Sequence, residues 1–122
     1  MYLRHNHNRE AFTRKALKYA PASACYVLER KKSPYAAVFV SYWTNMAVIL
    51  DGVCYLNVNR YSTSTTRHVN KFFHEYGGLN YLSHVSNIVP VTPGVVNTLR
   101  YYLEHYPTAQ EARDYLLEHN MV

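Results

Sequence analysis

The chain has 122 residues, a net charge of +5 and two cysteines, Cys25 and Cys54. That length suits one domain, able to bury roughly two-thirds of its unfolded surface, and so few cysteines exclude a disulfide-stapled secreted scaffold. The longest apolar stretch, Tyr35 to Val40, is too short to span a bilayer, and no apolar signal segment is present, so a cytoplasmic protein with no membrane partner is expected.

Two further features of composition bear on function. The chain carries 13 Tyr, 4 Phe and one Trp; aromatic side chains bury large areas, and the Tyr hydroxyl places many of them at a core margin or a contact surface. The charge is uneven: residues 1–33 hold eight Lys or Arg against two acids, whereas residues 79–122 hold two against four. A basic front suits a polyanionic partner, a head-to-tail self-contact, or solubility alone.

Taken in chain order, residues 1–7 show no period and read as flexible. Asn8 is placed to cap a helix over about residues 9–19, with Phe12, Ala16 and Tyr19 on one face and Arg14, Lys15 and Lys18 outward. Pro21 ends it. Cys25 to Glu29 is a short β-prone run that leaves Cys25, like Cys54 later, as a small buried hydrophobe with a free thiol. Lys31-Lys32-Ser33-Pro34 signals a turn. Strand candidates follow at Tyr35–Tyr42, Thr44–Leu50 and Val53–Val58.

Asp51-Gly52 is the strongest local signal, because a two-residue hairpin of the I′ type needs positive φ at both central positions. It fixes the register, with Leu50 opposite Val53, Ile49 opposite Cys54, Val48 opposite Tyr55 and Ala47 opposite Leu56. One face then carries Ala47, Ile49, Cys54, Leu56 and Val58; the other carries Val48, Leu50, Val53 and Tyr55. Both are apolar, so both should be covered, one by a helix and the second by a helix or a partner chain. A homodimer is therefore among the expected partners.

The hydroxyl run Ser62-Thr63-Ser64-Thr65-Thr66 should cap a helix whose buried stripe is Val69, Phe72, Phe73 and Tyr76, ended by Gly77-Gly78. Residues 84–91 read as a strand demoted by Pro90. Thr92-Pro93 starts a helix with Val95 or Val96, Leu99, Leu103 and Tyr106 inward. Thr108 and Glu111 form a capping box for a last helix with Ala112, Tyr115, Leu116 and His119 inward. These last two helices should pack as an αα-hairpin. Together the elements define one α+β domain over residues 1–122: a short antiparallel sheet containing the Asp-Gly hairpin and covered by helices.

No nucleophile elbow, phosphate-binding loop, zinc spacing or paired carboxylates occur, so no enzyme activity, cofactor or metal is expected. Two basic groups remain as candidate binding residues. Arg60, Ser62, Ser64, Thr65, Thr66 and Arg67 surround a helix start able to hold an anion, with Lys71 and His74 further along the same outer face. Arg14, Lys15, Lys18, Arg30, Lys31 and Lys32, interleaved with tyrosines, suit phosphate neutralisation with base stacking. Capping and a solvated basic face account for the same residues without any ligand.

Ser41-Tyr42-Trp43-Thr44-Asn45-Met46-Ala47 and Tyr61-Ser62-Thr63-Ser64-Thr65-Thr66-Arg67-His68 together resemble a family of small uncharacterised proteins found mainly in bacteriophage genomes, which carry S-Y-x-T-x-x-A and Y-S-x-T-T-S-x-H elements. Ser64 and Thr66 exchange the family's usual Thr and Ser and keep the hydroxyl chemistry. The resemblance spans about residues 39–72 and implies a hairpin-plus-helix core and a phage origin, with no established activity. The expectation is a non-enzymatic phage accessory protein that binds a host or phage protein, inhibiting a host process or defence system; the alternative is a nucleic-acid-binding protein.

Overall fold

The computed structural model describes residues 12–17, 24–30, 36–59, 63–76, 87–106 and 108–120, with backbone alone at 63–66, 73, 75 and 76. The described elements are β1 (Thr13–Lys15), β2 (Cys25–Arg30), β3 (Ala36–Ser41), β4 (Thr44–Leu50), β5 (Val53–Asn57), α1 (Thr63–Tyr76), β6 (Asn87–Val91), α2 (Pro93–His105) and α3 (Gln110–Glu118). The six strands form one sheet in chain order, so each neighbour in sequence is a neighbour in space.

The Asp51-Gly52 hairpin forms in the expected register, from Leu50 opposite Val53 to Ala47 opposite Leu56. Asp51 and Gly52 have φ of 54° and 80°, the positive values such a turn requires. Both faces of this hairpin are buried under the chain's own helices. On one face Ala47, Ile49 and Cys54 join Phe39 and Phe72 of α1; the Phe39 and Phe72 rings stack with centroids 4.6 Å apart. On the other, Val48, Leu50 and Tyr55 pack with Val96, Leu99 and Leu103 of α2 and Leu116 of α3. The hairpin thus needs no second chain to cover it. Each fully buried side chain of this kind contributes about 1.5–3 kcal/mol.

Cys25 and Cys54 are buried free thiols on the α1 face, and burial pushes the Cys54 thiol up to about 12. No described helix is long and apolar enough to cross a membrane.

Several expectations change. Residues 13–15 form an edge strand, not part of a helix: Thr13, Arg14 and Lys15 pair with Glu29, Leu28 and Val27. The sheet edge offers backbone partners that outweigh a weak helical period, and Phe12 packs against the α2–α3 core while Leu17 enters the α1 core. The sheet is mixed rather than purely antiparallel, because β6 pairs parallel to β5. A parallel return needs a crossover, and α1 lies between the two strands in the chain. Pro90 is tolerated since β6 is an edge, where an absent N–H breaks no ladder.

The remaining changes concern helix ends. Of the hydroxyl run, Thr63 to Thr66 lie inside α1 rather than before it, because the helix begins at Thr63. Thr92 occupies the N-cap of α2 without a side-chain capping bond, and Ala109 takes the N-cap of α3. Thr108 Oγ1 nevertheless accepts from Gln110 N and donates to Glu111 Oε1, both at 3.3 Å. Val95, Val96, Leu99 and Leu103 form the inner stripe of α2, whereas Tyr106 is exposed at its end. Ala112 and Leu116 are the buried pair on α3, and His119 is exposed beyond it. The two helices pack together as the expected pair.

Candidate functional site

The β3–β4 connection is a two-residue turn, Tyr42-Trp43, between paired Ser41 and Thr44. Tyr42 has φ of 47° and Trp43 of 69°. A side chain in this left-handed region costs about 1–2 kcal/mol, which is why Asn, Asp and Gly dominate such turns. Here two aromatic residues occupy it, and both point outward: Tyr42 is 50 % and Trp43 85 % exposed.

This turn is braced on both faces of the sheet. On the α1 side, Ser41 is 1 % and His68 6 % exposed, and Ser41 Oγ is hydrogen-bonded to His68 Nδ1 at 2.9 Å. The His68 ring also lies 5.4 Å from that of Tyr42. Burial first, and then the nearby charge of Lys71, hold His68 below its ordinary pKa of 6.5, so the ring is neutral at neutral pH.

On the α2 side the brace depends on a β-bulge. The register shifts between Phe39, opposite Ala47, and Val40, opposite Asn45, leaving Met46 as the extra residue. An extra residue reverses which face the following side chains take. Met46 therefore packs in the α1 core, while Asn45 turns toward α2. There Asn45 Nδ2 donates to Asn97 Oδ1 at 2.9 Å, and Arg100 Nη1 donates to Asn45 Oδ1 at 2.7 Å. Asn57 Nδ2 donates to Asn45 O at 3.1 Å, and Tyr42 N donates to Ala24 O at 2.8 Å. The exposed aromatic pair thus stands on a base tied to β2, β5, α1 and α2.

Among the described residues the basic candidates are spread over both faces of the sheet and α1. Arg14 lies over the Tyr26 ring at 3.8 Å on the α2–α3 face. Lys15, next in the same strand, projects to the opposite face and pairs with Glu29 at 3.5 Å. Arg30, a candidate for phosphate neutralisation, is only 3 % exposed. It ends β2 opposite Ala36, so it shares the side of the sheet that α2 and α3 cover. Burial, then the Arg113 charge, lower its pKa. Arg67 and His74 are exposed on α1, with Lys71 half-buried between them. Ser64, Thr65 and Thr66 lie in the first turn of α1. Lys18, Lys31, Lys32, Arg60 and Ser62 lie outside the described residues. Sequence reasoning missed the Tyr42-Trp43 turn because an aromatic pair is not a turn signal.

Among the described residues no group of three or more His, Cys, Asp or Glu side chains is placed to hold a metal ion. The Ser41–His68 pair is too enclosed to present a nucleophile and reads as a tether.

These features define a small α+β domain that displays a braced aromatic hairpin tip. The chain belongs to a family of unknown function, DUF8033, whose model matches residues 1–84. That stretch includes β1 to β5, α1 and the hairpin tip, and leaves β6, α2 and α3 outside it. No curated protein and no solved structure matches the chain.

Proposed function

We propose that the protein is a non-enzymatic, phage-encoded accessory protein that binds a host or phage protein through the Tyr42-Trp43 tip and blunts a host process or defence system. The observation that carries this reading is the exposed Trp43 in a left-handed backbone conformation. Strained, outward aromatic residues on a rigid base are costly for the fold and suited to a contact, and Trp and Tyr are the residue types that most often anchor protein interfaces. A tip fixed in advance loses little entropy on docking.

Trp43 is the single tryptophan of the chain, so its emission reports its own surroundings. Wild-type protein should retain one stoichiometric partner from host or phage lysate. That purified partner should shift Trp43 emission to the blue, and Trp43→Gly should lose the complex while staying folded. A partner held equally by Trp43→Gly would remove the tip from the reading.

Nucleic-acid binding is the second reading. It is favoured by Arg67 and His74 on the outer face of α1, with Lys71 between them, on the helix that packs beside the exposed Tyr42 ring. Cations beside exposed aromatics suit a single strand, with bases stacked and phosphates neutralised. Anisotropy of labelled DNA and RNA over a salt series separates the readings, since phosphate contacts weaken steeply with salt.

A further inference from the structure

The opposite end of β4 carries a second feature. An open cleft of about 560 Å³ lies between the Asp51-Gly52 turn, β5, β6 and α3. Its walls are apolar, from Val53, Val89, Leu116 and Leu117. That volume and lining are those of small-molecule sites, which set a few polar groups in an apolar cavity.

Apart from Asp51, the polar groups at this cleft can donate. Tyr55 lines it at 1 % exposure, and its hydroxyl makes no hydrogen bond among the described residues. Burial, then the Asp51 charge, raise its pKa, so it keeps its proton. Asn87 Oδ1 accepts from Ile88 N at 2.9 Å, which leaves its amide N–H groups uncommitted among the described residues. Arg113 donates Nε and Nη2 to the two oxygens of Asp51, at 2.6 and 3.0 Å, leaving Nη1. The one acidic lining group, Asp51, is already satisfied in this way. The charges of Asp51 and Arg113 offset each other in the lining, so the cleft offers an anion hydrogen-bond donors rather than net positive charge.

We infer that this cleft binds a small organic carboxylate with an apolar body, its carboxylate taking hydrogen bonds from Tyr55 and Arg113 while Val53, Val89 and Leu116 enclose the tail. Asn87, Val89, Arg113, Leu116 and Leu117 lie outside the segment matched by the family model. The site therefore joins β5 residues inside that segment to C-terminal elements beyond it, and is separate from the hairpin tip.

The test uses the full chain with sodium octanoate as probe and 1-octanol and octylamine as controls, followed by thermal melting and titration calorimetry. Octanoate should bind saturably at one site and raise the melting temperature, and the alcohol and amine at equal concentration should not. Tyr55→Phe should weaken octanoate by about fivefold or more, the loss of one hydrogen bond. Arg113→Gln, a partly exposed change that folding should survive, should weaken it as well, and Trp43→Gly should leave it unchanged. Absence of saturable octanoate binding, equal binding of octanol, or unaltered binding in Tyr55→Phe and Arg113→Gln would each overturn the proposal.

Discussion

Ser41 Oγ and His68 Nδ1 meet at 2.9 Å across 27 residues of chain, joining the end of β3 to the second turn of α1. Ser41 begins the segment 41–47 and His68 ends the segment 61–68, so this bond joins the two segments directly. Removing one partner of a buried bond leaves the other unsatisfied, at about 1–3 kcal/mol. Ser41→Ala should lose that amount in urea unfolding, whereas Ser41→Thr should retain most of it if the extra methyl fits. An unchanged midpoint in Ser41→Ala would show that the bond does not hold α1 to the sheet.

The same histidine sets a pH dependence. Its pKa is lowered in the fold, so as pH falls below the unfolded value of about 6.5 the unfolded chain takes up the proton first. The stabilising contribution is therefore complete above about pH 6.5 and declines as pH falls through the folded value. His68→Asn lacks this response. The stability gap between wild type and His68→Asn should narrow on acidification, as read from denaturant midpoints over a pH series. A gap that is constant or widens would contradict the sign.

Trp43→Gly should keep stability within about 1 kcal/mol of wild type. It releases a left-handed penalty of about 1–2 kcal/mol and costs about 0.5–1 kcal/mol in backbone entropy. Trp43→Ala keeps the penalty and should be the less stable of the two. A large loss in Trp43→Gly would mean that Trp43 supports the fold itself.

Arg113 and Asp51 form a bidentate pair that ties α3 to the β4–β5 turn across 62 residues. The Arg113 hydrogen bond, opposed by burial and aided by the Arg113 charge, holds the Asp51 carboxyl below its ordinary pKa. Both side chains remain substantially exposed, at 32 % and 48 %, so solvent screening limits the pair to about 1 kcal/mol or less. Arg113→Ala should show that modest loss, and the loss should shrink as salt is added.

Phe72→Ala should cost about 3–5 kcal/mol, because Phe72 is fully buried and stacked on Phe39. Calorimetric melting is a direct measurement of it. Among the described α1 side chains Phe72 is the deepest anchor to the sheet.

The sequence by itself determined the β4–β5 hairpin, its register, the apolar character of both its faces and the two C-terminal helices, because those rest on local rules: a turn that tolerates positive φ at Asp51-Gly52, alternation along a strand, and a 3.6-residue stripe at Val95, Val96, Leu99 and Leu103. Only the tertiary structure decided the rest. Thr13–Lys15 became a strand because a free edge of β2 was there to pair with. Arg30 was drawn under the helices by its place on the sheet. The bulge at Met46 turned Asn45 toward α2, and Trp43 was lifted outward on a turn that aromatic residues do not favour. The cleft at Tyr55 needed β6 and α3 to arrive beside β5. Each of these outcomes depends on contacts between segments far apart in the chain, and local propensity carries no information about which distant partner will be present.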